Sequence, residues 1–360
     1  MSKSHYIIPI FVPHEGCPHN CVFCNQTTIT GNSNKVDSSY VREIVEQYLT
    51  TINSKDSTIE ISFFGGTFTA IRIEKQNELL EVAKEYKDNG LINFIRLSTR
   101  PDYINNTILD NLKRFSVDII ELGIQSLDEE VLKKSGRGHS YEDVKYASEL
   151  ILKYGFAMGH QIMLGLPGDN FDKDILTVKK IIELKPHICR IYPSLVIKNT
   201  PMEDMYLKGT YKPYTLEEAI YISKIIYGML IAHDINVIRI GLQPTEEINV
   251  GGELVDGPFH PAFRELVEGS IICEAILNNI PEGYKRNLLI QINNKDLSKL
   301  YANKKVFFND MIRQCNGVNI KVEQNPSLDR GVLKLVTEDN ERTLSVNEYI
   351  KSNYGEGNKK

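Results

Sequence analysis

Along roughly the first 240 residues, short apolar runs alternate with longer stretches in which apolar residues recur every three or four positions. The runs predict strands at Tyr6–Val12, Thr58–Phe64, Phe94–Ser98, Asp118–Gly123, Ala157–Leu164 and Ile188–Val196. The stretches between them predict helices at Ser39–Thr50, Lys75–Asp88, Ile104–Phe115, Tyr141–Tyr154 and Phe171–Leu184, and Leu216–His233 follows as another. Leu79, Leu80, Val82 and Ala83 mark one helical face, and Val144, Ala147, Leu150 and Ile151 another. Asp37 or Ser38 and Ser140 stand where N-caps are needed. The second, fourth and fifth strands are nearly continuous apolar runs, as for strands covered on both faces. Strand–helix alternation implies a parallel sheet. Six units fit a partial barrel or an open doubly wound sheet, and either one binds ligands at the C-terminal strand ends. Asn236–Gly241 adds a candidate seventh strand.

After Gly241 the pattern changes. Gln243 to Glu268 is rich in Gly, Pro and acidic residues with little periodicity, and Pro281-Glu282-Gly283 reads as a linker. Beyond it, Asn287–Ile292, Asp296–Ala302, Asn303–Gln314, Val318–Gln324 and Gly331–Val336 predict a small α/β appendage. The expected division is a main α/β domain over 1–241, a loop-rich capping segment over 242–280 and a C-terminal domain over 281–360, with Asn353 to Lys360 as a frayed tail.

Composition narrows the class. With 41% hydrophobic and 25% charged residues among 360, disordered, collagen-like and coiled-coil chains are excluded. Lys and Arg number 42 against 47 Asp and Glu, a net charge of −5, so no global polycation faces a nucleic acid. Lys133, Lys134 and Arg137 make a small local basic spot. No apolar run approaches the roughly 18–20 residues that span a bilayer. The start of the chain lacks a signal-peptide pattern, and the expected location is the cytoplasm.

Three of the six cysteines, Cys17, Cys21 and Cys24, fall within eight residues, in C-x3-C-x2-C spacing just after the first strand. In a reducing compartment this clustering favours metal ligation over disulfides. Cys189, Cys273 and Cys315 are scattered and read as small buried hydrophobes. Three thiolates hold three irons of a cubane cluster and leave the fourth open. With His14 or His19 they equally make a closed zinc site. Spacing alone does not decide between the two.

The neighbouring residues do. Cys17, Cys21, Phe23 and Cys24 match the C-x3-C-x-aromatic-C loop of the radical S-adenosylmethionine superfamily, and Gly65-Gly66-Thr67 matches its glycine element after the second strand. Leu97-Ser98-Thr99-Arg100-Pro101-Asp102, Glu121-Leu122-Gly123-Ile124-Gln125-Ser126, Arg137-Gly138-His139, the run Ile191 to Thr200 and Tyr211-Lys212-Pro213-Tyr214 resemble the radical domain of the elongator catalytic subunit family over roughly residues 6–245. Gly123 to Ser126 and Gly136-Arg137 also occur, in variant form, in oxygen-independent coproporphyrinogen oxidases. Gly257 to Glu268 looks like stand-alone bacterial members with a small C-terminal domain. The elongator subunit's acetyltransferase half and basic N-terminal extension are not matched. The resemblance thus implies an α/β fold, a partial (β/α)6 barrel of the radical S-adenosylmethionine type with a loop-rich cap and a small C-terminal α/β appendage.

It also implies the chemistry. Cys17, Cys21 and Cys24 would bind an oxygen-sensitive [4Fe–4S] cluster, and its open iron the amino and carboxylate groups of S-adenosylmethionine. Cleavage of that cofactor yields a radical that abstracts hydrogen from a substrate, tRNA or another nucleotide-bearing molecule by analogy with the family. A reductant such as ferredoxin or flavodoxin supplies the electron. Phe23 is placed against the adenine, and Gly65, Gly66 and Thr67 along the methionyl group. Ser98, Arg100, Gln125, Gln161 and Arg190 are polar residues on or at the ends of inward-facing strands, costly there unless they bind something. Arg190 suits the cofactor carboxylate, with a salt bridge to Glu121 as its structural alternative. Lys198, Tyr211 and Tyr214 lie beyond the sixth strand as candidate catalytic residues at the substrate mouth. His139 and His160 read as structural, and His260 and Arg264 as part of the cap. Two other functions fit parts of the pattern: a tetrapyrrole-pathway radical enzyme or a relative of it, and a non-catalytic zinc-binding interaction module. Oligomeric state is left open by the sequence.

Overall fold

A computed structural model describes residues 4–12, 17, 19–25, 36–52, 57–244 and 251–355. The chain packs as two compact units. The first, Met1–Tyr214 with Leu242–Pro258, is built on β1 (Ser4–Val12), β2 (Ser57–Gly65), β3 (Phe94–Thr99), β4 (Ile119–Gln125), β5 (Ala157–Leu164) and β6 (Ile188–Pro193). These strands are parallel, lie in chain order and curl into a partial barrel. The intervening helices are α1 (Ser38–Thr51), α2 (Ile73–Asp88), α3 (Asn106–Arg114), α4 (Glu129–Lys134), α5 (Tyr141–Lys153) and α6 (Phe171–Leu184).

Helix starts are fixed by side chains that take up otherwise unsatisfied N–H groups: Asp37 for α1, Asn105 for α3, Asp128 for α4, Ser140 in a capping box with Asp143 for α5, and Asn170 for α6. One strand face supplies Ile8, Ile10, Ile61, Phe63, Leu97 and Ile120 to the core shared with Val41, Leu79 and Leu80 of the helices. The alternate positions on the other face include Glu60, Arg96, Glu121 and Arg190. The expectation that these strands are covered on both faces holds, since Ile59, Glu60, Ile61, Ser62 and Phe63 of β2 are all buried; helices cover one face, and the other, the barrel interior, carries charge.

The predicted strand Ile188–Val196 is interrupted. β6 stops at Pro193, and the short strand β7 (Val196–Ile197) pairs antiparallel with β9 (Leu254–Asp256) instead. α7 (Pro201–Leu207), capped by Thr200 with Pro201 in its first turn, follows β7.

The second unit joins Thr215–Gly241 with Phe259–Lys360. It contains α8 (Leu216–Ala232), β8 (Asn236–Ile240), α9 (Phe263–Leu277), α10 (Leu297–Leu300) and α11 (Val306–Gln314). β10 (Asn287–Ile292), β11 (Asn319–Gln324), β12 (Val332–Val336) and β13 (Glu341–Ser345) form a sheet in the order β11-β10-β12-β13, and α12 (Val346–Tyr354) closes the unit. Residues 215–241, grouped by sequence with the barrel, here share a core with the C-terminal residues. The physical link is Glu274, whose carboxylate pairs with Lys224 and accepts from the hydroxyls of Tyr349 and Tyr354. Two further readings change. The second half of the loop-rich segment is the fifteen-residue helix α9. The expected tail is helical to Tyr354, whose buried ring lies against Gly228.

Candidate active site

The cysteine loop follows β1 and is tied down by its backbone. The Val22 N–H donates to Ser135 O (3.1 Å), the Met202 N–H to Val22 O (2.9 Å) and the Cys24 N–H to Cys21 O (3.0 Å). Asn25 Nδ2 donates to the Lys198 carbonyl (3.3 Å). Val22 and Phe23 pack with Val196, Met202, Met205, Tyr206, Tyr211 and Val255. Cys21 is buried, and its Sγ accepts from Arg137 Nη1 at 3.3 Å. Cys17 is exposed, with its Sγ 3.5 Å from Thr67 Oγ1. His14 lies outside the described residues, and the ring of His19 rests on Gly138. Among the described residues no set of three His, Cys, Asp or Glu side chains is already gathered as a metal site.

The strand ends bring further candidates to this side. Gly65 has φ +111°, and a Cβ there would stand 2.7 Å from Val12 O, so the position demands glycine on backbone grounds. Gly66 N–H donates to that same Val12 carbonyl (2.9 Å). Gln125 ends β4 in a left-handed conformation (φ +65°), strained for a side chain of its type, with its Oε1 buried and unsatisfied. Ser98 Oγ is 3.5 Å from Glu121 Oε2. Arg100 donates from Nε and Nη2 to the Asp102 carboxylate (2.9 and 2.8 Å) and from Nη2 to Arg137 O. Gln161 sits beside Arg190 in the β5–β6 register.

Four charged side chains form a buried ladder across the barrel interior. Glu60 Oε2 meets Arg96 Nη2 (3.0 Å), Arg96 Nη1 meets Glu121 Oε1 (3.0 Å), and Arg190 Nε donates to both Glu121 oxygens (2.9 and 3.2 Å). His5 Nε2 reaches Glu60 at 3.0 Å. Signs alternate, so each buried charge has an opposite neighbour. The salt bridge weighed for Arg190 is therefore present. Its Nη2 nevertheless remains buried without a hydrogen-bond partner. Gly159 on β5 makes the Glu121–Arg190 reach possible: a Cβ there would stand 2.8 Å from Glu121 Cγ and 2.8 Å from Ile188 Cγ1.

Lys198, Tyr211 and Tyr214 sit among loop contacts. Lys198 is exposed, its Nζ donating to Gly252 O (2.8 Å). Tyr211 is buried and donates to Gly165 O (2.7 Å), while Tyr214 donates to Asp174 Oδ2 (2.9 Å). Asp169 and Asp174 act on one another electrostatically, and both carboxyls are pushed above the ordinary range, first by burial and then, for Asp174, by its neighbour's charge.

Several of these features are not visible in the sequence. Arg137, expected in a surface basic spot, is buried. Lys134 of that spot pairs with Glu130 (2.7 Å). Glu60, Arg96 and the Asp169–Asp174 pair carry no signal of their own in the sequence, because their partnerships depend on strand register and loop geometry. The motifs Arg137-Gly138-His139 and Gly165-Leu166-Pro167-Gly168 were the available signals. The remaining cysteines behave as expected. Cys189, Cys273 and Cys315 are buried, and burial pushes the thiols of Cys189 and Cys273 up to about 12.

Comparison with known proteins adds the following. A family model described as the Radical SAM superfamily matches residues 11–181, and one described as the Radical SAM C-terminal domain matches residues 186–272. The tRNA uridine(34) acetyltransferase of Methanocaldococcus jannaschii is 28% identical over 255 residues, covering 60% of this chain and 47% of the relative. An uncharacterised protein of the same organism is 31% identical over 221 residues, 58% of this chain and 66% of its own length. Among solved structures, the archaeal Methanocaldococcus infernus Elp3 with an N-terminal deletion is similar in fold, with a TM-score of 0.60 at 24% identity, over 76% of this chain and 64% of that one. The chain spans about half the length of the acetyltransferase relatives it matches.

Proposed function

The chain belongs to the radical S-adenosylmethionine superfamily, as an enzyme using a [4Fe–4S] cluster and S-adenosylmethionine, and from that premise we propose the residues that serve those cofactors and the class of substrate. Cys17, Cys21 and Cys24 are the cluster ligands. Thr67, beside Cys17, with Gly65, Gly66, Ser98, Gln125, Gln161 and Arg190 borders the S-adenosylmethionine, and Phe23 packs the loop that carries the ligands.

The donor set suits this assignment. Three soft thiolates fit iron and leave one iron for a chelating ligand. The unsatisfied buried atoms Gln125 Oε1, Arg137 Nε and Arg190 Nη2 are what a polar organic cofactor would satisfy. When bound, the cofactors supply a hydrogen-abstracting carbon radical; the protein supplies position and dryness. Arg100 fixes the Arg137 loop through that residue's carbonyl and is assigned positioning rather than contact. Glu121 holds Arg190 in place from β4, across the intervening β5.

The substrate is assigned as tRNA, with Lys198, Tyr211 and Tyr214 on its side of the site. The name of the archaeal relatives supports this, and the electron donor is assigned as a ferredoxin or flavodoxin. No helix among the described residues is long and apolar enough to cross a membrane. The observation that carries the proposal is the buried Cys21 sulfur facing a guanidinium on a loop at the strand ends.

The test is 5′-deoxyadenosine release by anaerobically reconstituted protein under dithionite, with and without bulk tRNA, followed by mass spectrometry of the tRNA nucleosides. Release stimulated by tRNA, together with a changed nucleoside, is expected. Release indifferent to tRNA, with no changed nucleoside, would remove the tRNA assignment and leave the enzyme class intact.

A further inference from the structure

We propose that Arg137 is the buried counter-ion of the iron–sulfur cluster, donating to the Cys21 sulfur and holding the cluster's reduction potential up. The inference rests on the assignment of Cys21 as a cluster ligand. It starts from a charge imbalance. Arg137 is 6% exposed, and among the described residues no carboxylate forms an ion pair with it. Its Nη1 faces Cys21 Sγ (3.3 Å), its Nη2 donates to Gly123 O, and its Nε has no partner. The adjacent cation, Arg100, occupies the Asp102 carboxylate with two donors. This corner thus holds two guanidiniums and one carboxylate, and that carboxylate is ion-paired with Arg100.

A buried guanidinium without an anion is expensive. The one group in hydrogen-bond contact with Arg137 that carries a negative charge on binding iron is Cys21.

The placement is built into the backbone. The Arg137 N–H donates to Leu132 O (3.0 Å) at the end of α4, and the Arg137 carbonyl accepts from Arg100. Gly136 and Gly138 take left-handed backbone (φ +65° and +73°), which strains any other residue there, and a Cβ would stand 3.2 Å from Asn20 O at Gly136 and 2.6 Å from the His19 ring at Gly138. The Ser135 carbonyl holds Val22 of the cysteine loop. The guanidinium and the sulfur are thus fixed from both sides.

Reduction of the cluster from 2+ to 1+ takes one electron from an external reductant and releases no proton, so the added negative charge stays beside Arg137. An N–H donor and a full positive charge at a ligand sulfur favour that reduced state.

The experiment reconstitutes wild type, Arg137→Lys and Arg137→Gln anaerobically. Iron and sulfide are counted, and the potential is titrated by electron paramagnetic resonance of the reduced cluster. Both variants are expected to lie below wild type, Gln lower than Lys. At a fixed potential near the wild-type midpoint, the ratio of reduced to oxidised cluster in Arg137→Gln should fall by about tenfold, the scale of one charge-assisted hydrogen bond. Potentials equal to wild type in variants with full iron would overturn the proposal. If the Gln variant takes up no iron, the gap between Lys and wild type decides in the same way. Wild type that itself takes up no iron would instead refute the cluster assignment, a separate failure.

Discussion

Asp169 and Asp174 show what the site demands of single side chains. Asp174 is held by the Tyr214 hydroxyl, Asp169 by the Asn170 N–H (2.9 Å), and Asp128 adds a further negative charge nearby. Burial raises the Asp169 carboxyl to about 6, well above the ordinary 3.8 of an aspartate. A raised folded-state pKa means the folded protein keeps a proton that the unfolded chain has lost. The pair's contribution to stability is therefore complete below about pH 4 and is lost as pH rises through about 6. Asp169→Asn should remove that slope. In urea unfolding at pH 5 and pH 8, the variant is expected to gain on wild type as pH rises; parallel profiles would show that the pair carries no proton. Residue pairings of this kind were only partly legible. The Arg190–Glu121 bridge follows from two charges on inward strand positions. Glu60 and Arg96 do not, since their contact depends on which rung of each strand lines up with the next. Arg137 reads as a surface residue because Lys133 and Lys134 just before it look solvated, while its own loop turns inward.

Elements were more legible than pairs. Parallel strands and their covering helices carry long periodic signals, and every helix predicted within the barrel is present there. The losses are short pieces. α4 and α7 span six and seven residues, too few for a clear period, although Asp128 and Thr200-Pro201 were available as start signals. The run Ile188 to Val196 reads as one strand because its apolar residues continue past Pro193, where the chain changes partners. The strands are covered on both faces, as their apolar runs indicate, but a single Glu or Arg in such a run gives little sign that the inner face carries charge. Gly159 is where the ladder acts on an element. Gly159→Ala would drive a methyl into Glu121 and Ile188, and overpacking of that kind costs about 1–3 kcal/mol. A lower urea midpoint with an unchanged unfolding slope is the expected result; no change would mean that β5 shifts freely and the ladder does not constrain it.

For the whole molecule, a barrel with a polar interior makes sense only if something polar binds there. Its ladder neutralises most of the charge and leaves Arg190 Nη2, Gln125 Oε1 and Arg137 Nε unsatisfied. The second unit was harder to delimit from sequence. α8 follows the barrel helices without a break in pattern, and its association with α9 and α12 rests on Glu274 and two tyrosines more than 70 residues away in the chain. The central claim concerns the three cysteines, and it is tested most directly by Mössbauer spectroscopy and iron counting on anaerobically reconstituted protein. Wild type should hold about four irons per chain, as a three-thiolate cubane with an open iron requires, and one iron site should change on adding S-adenosylmethionine. Cys17→Ala, Cys21→Ala and Cys24→Ala should each lose that signal. Wild type that retains zinc without iron, or a cluster indifferent to all three substitutions, would contradict the account.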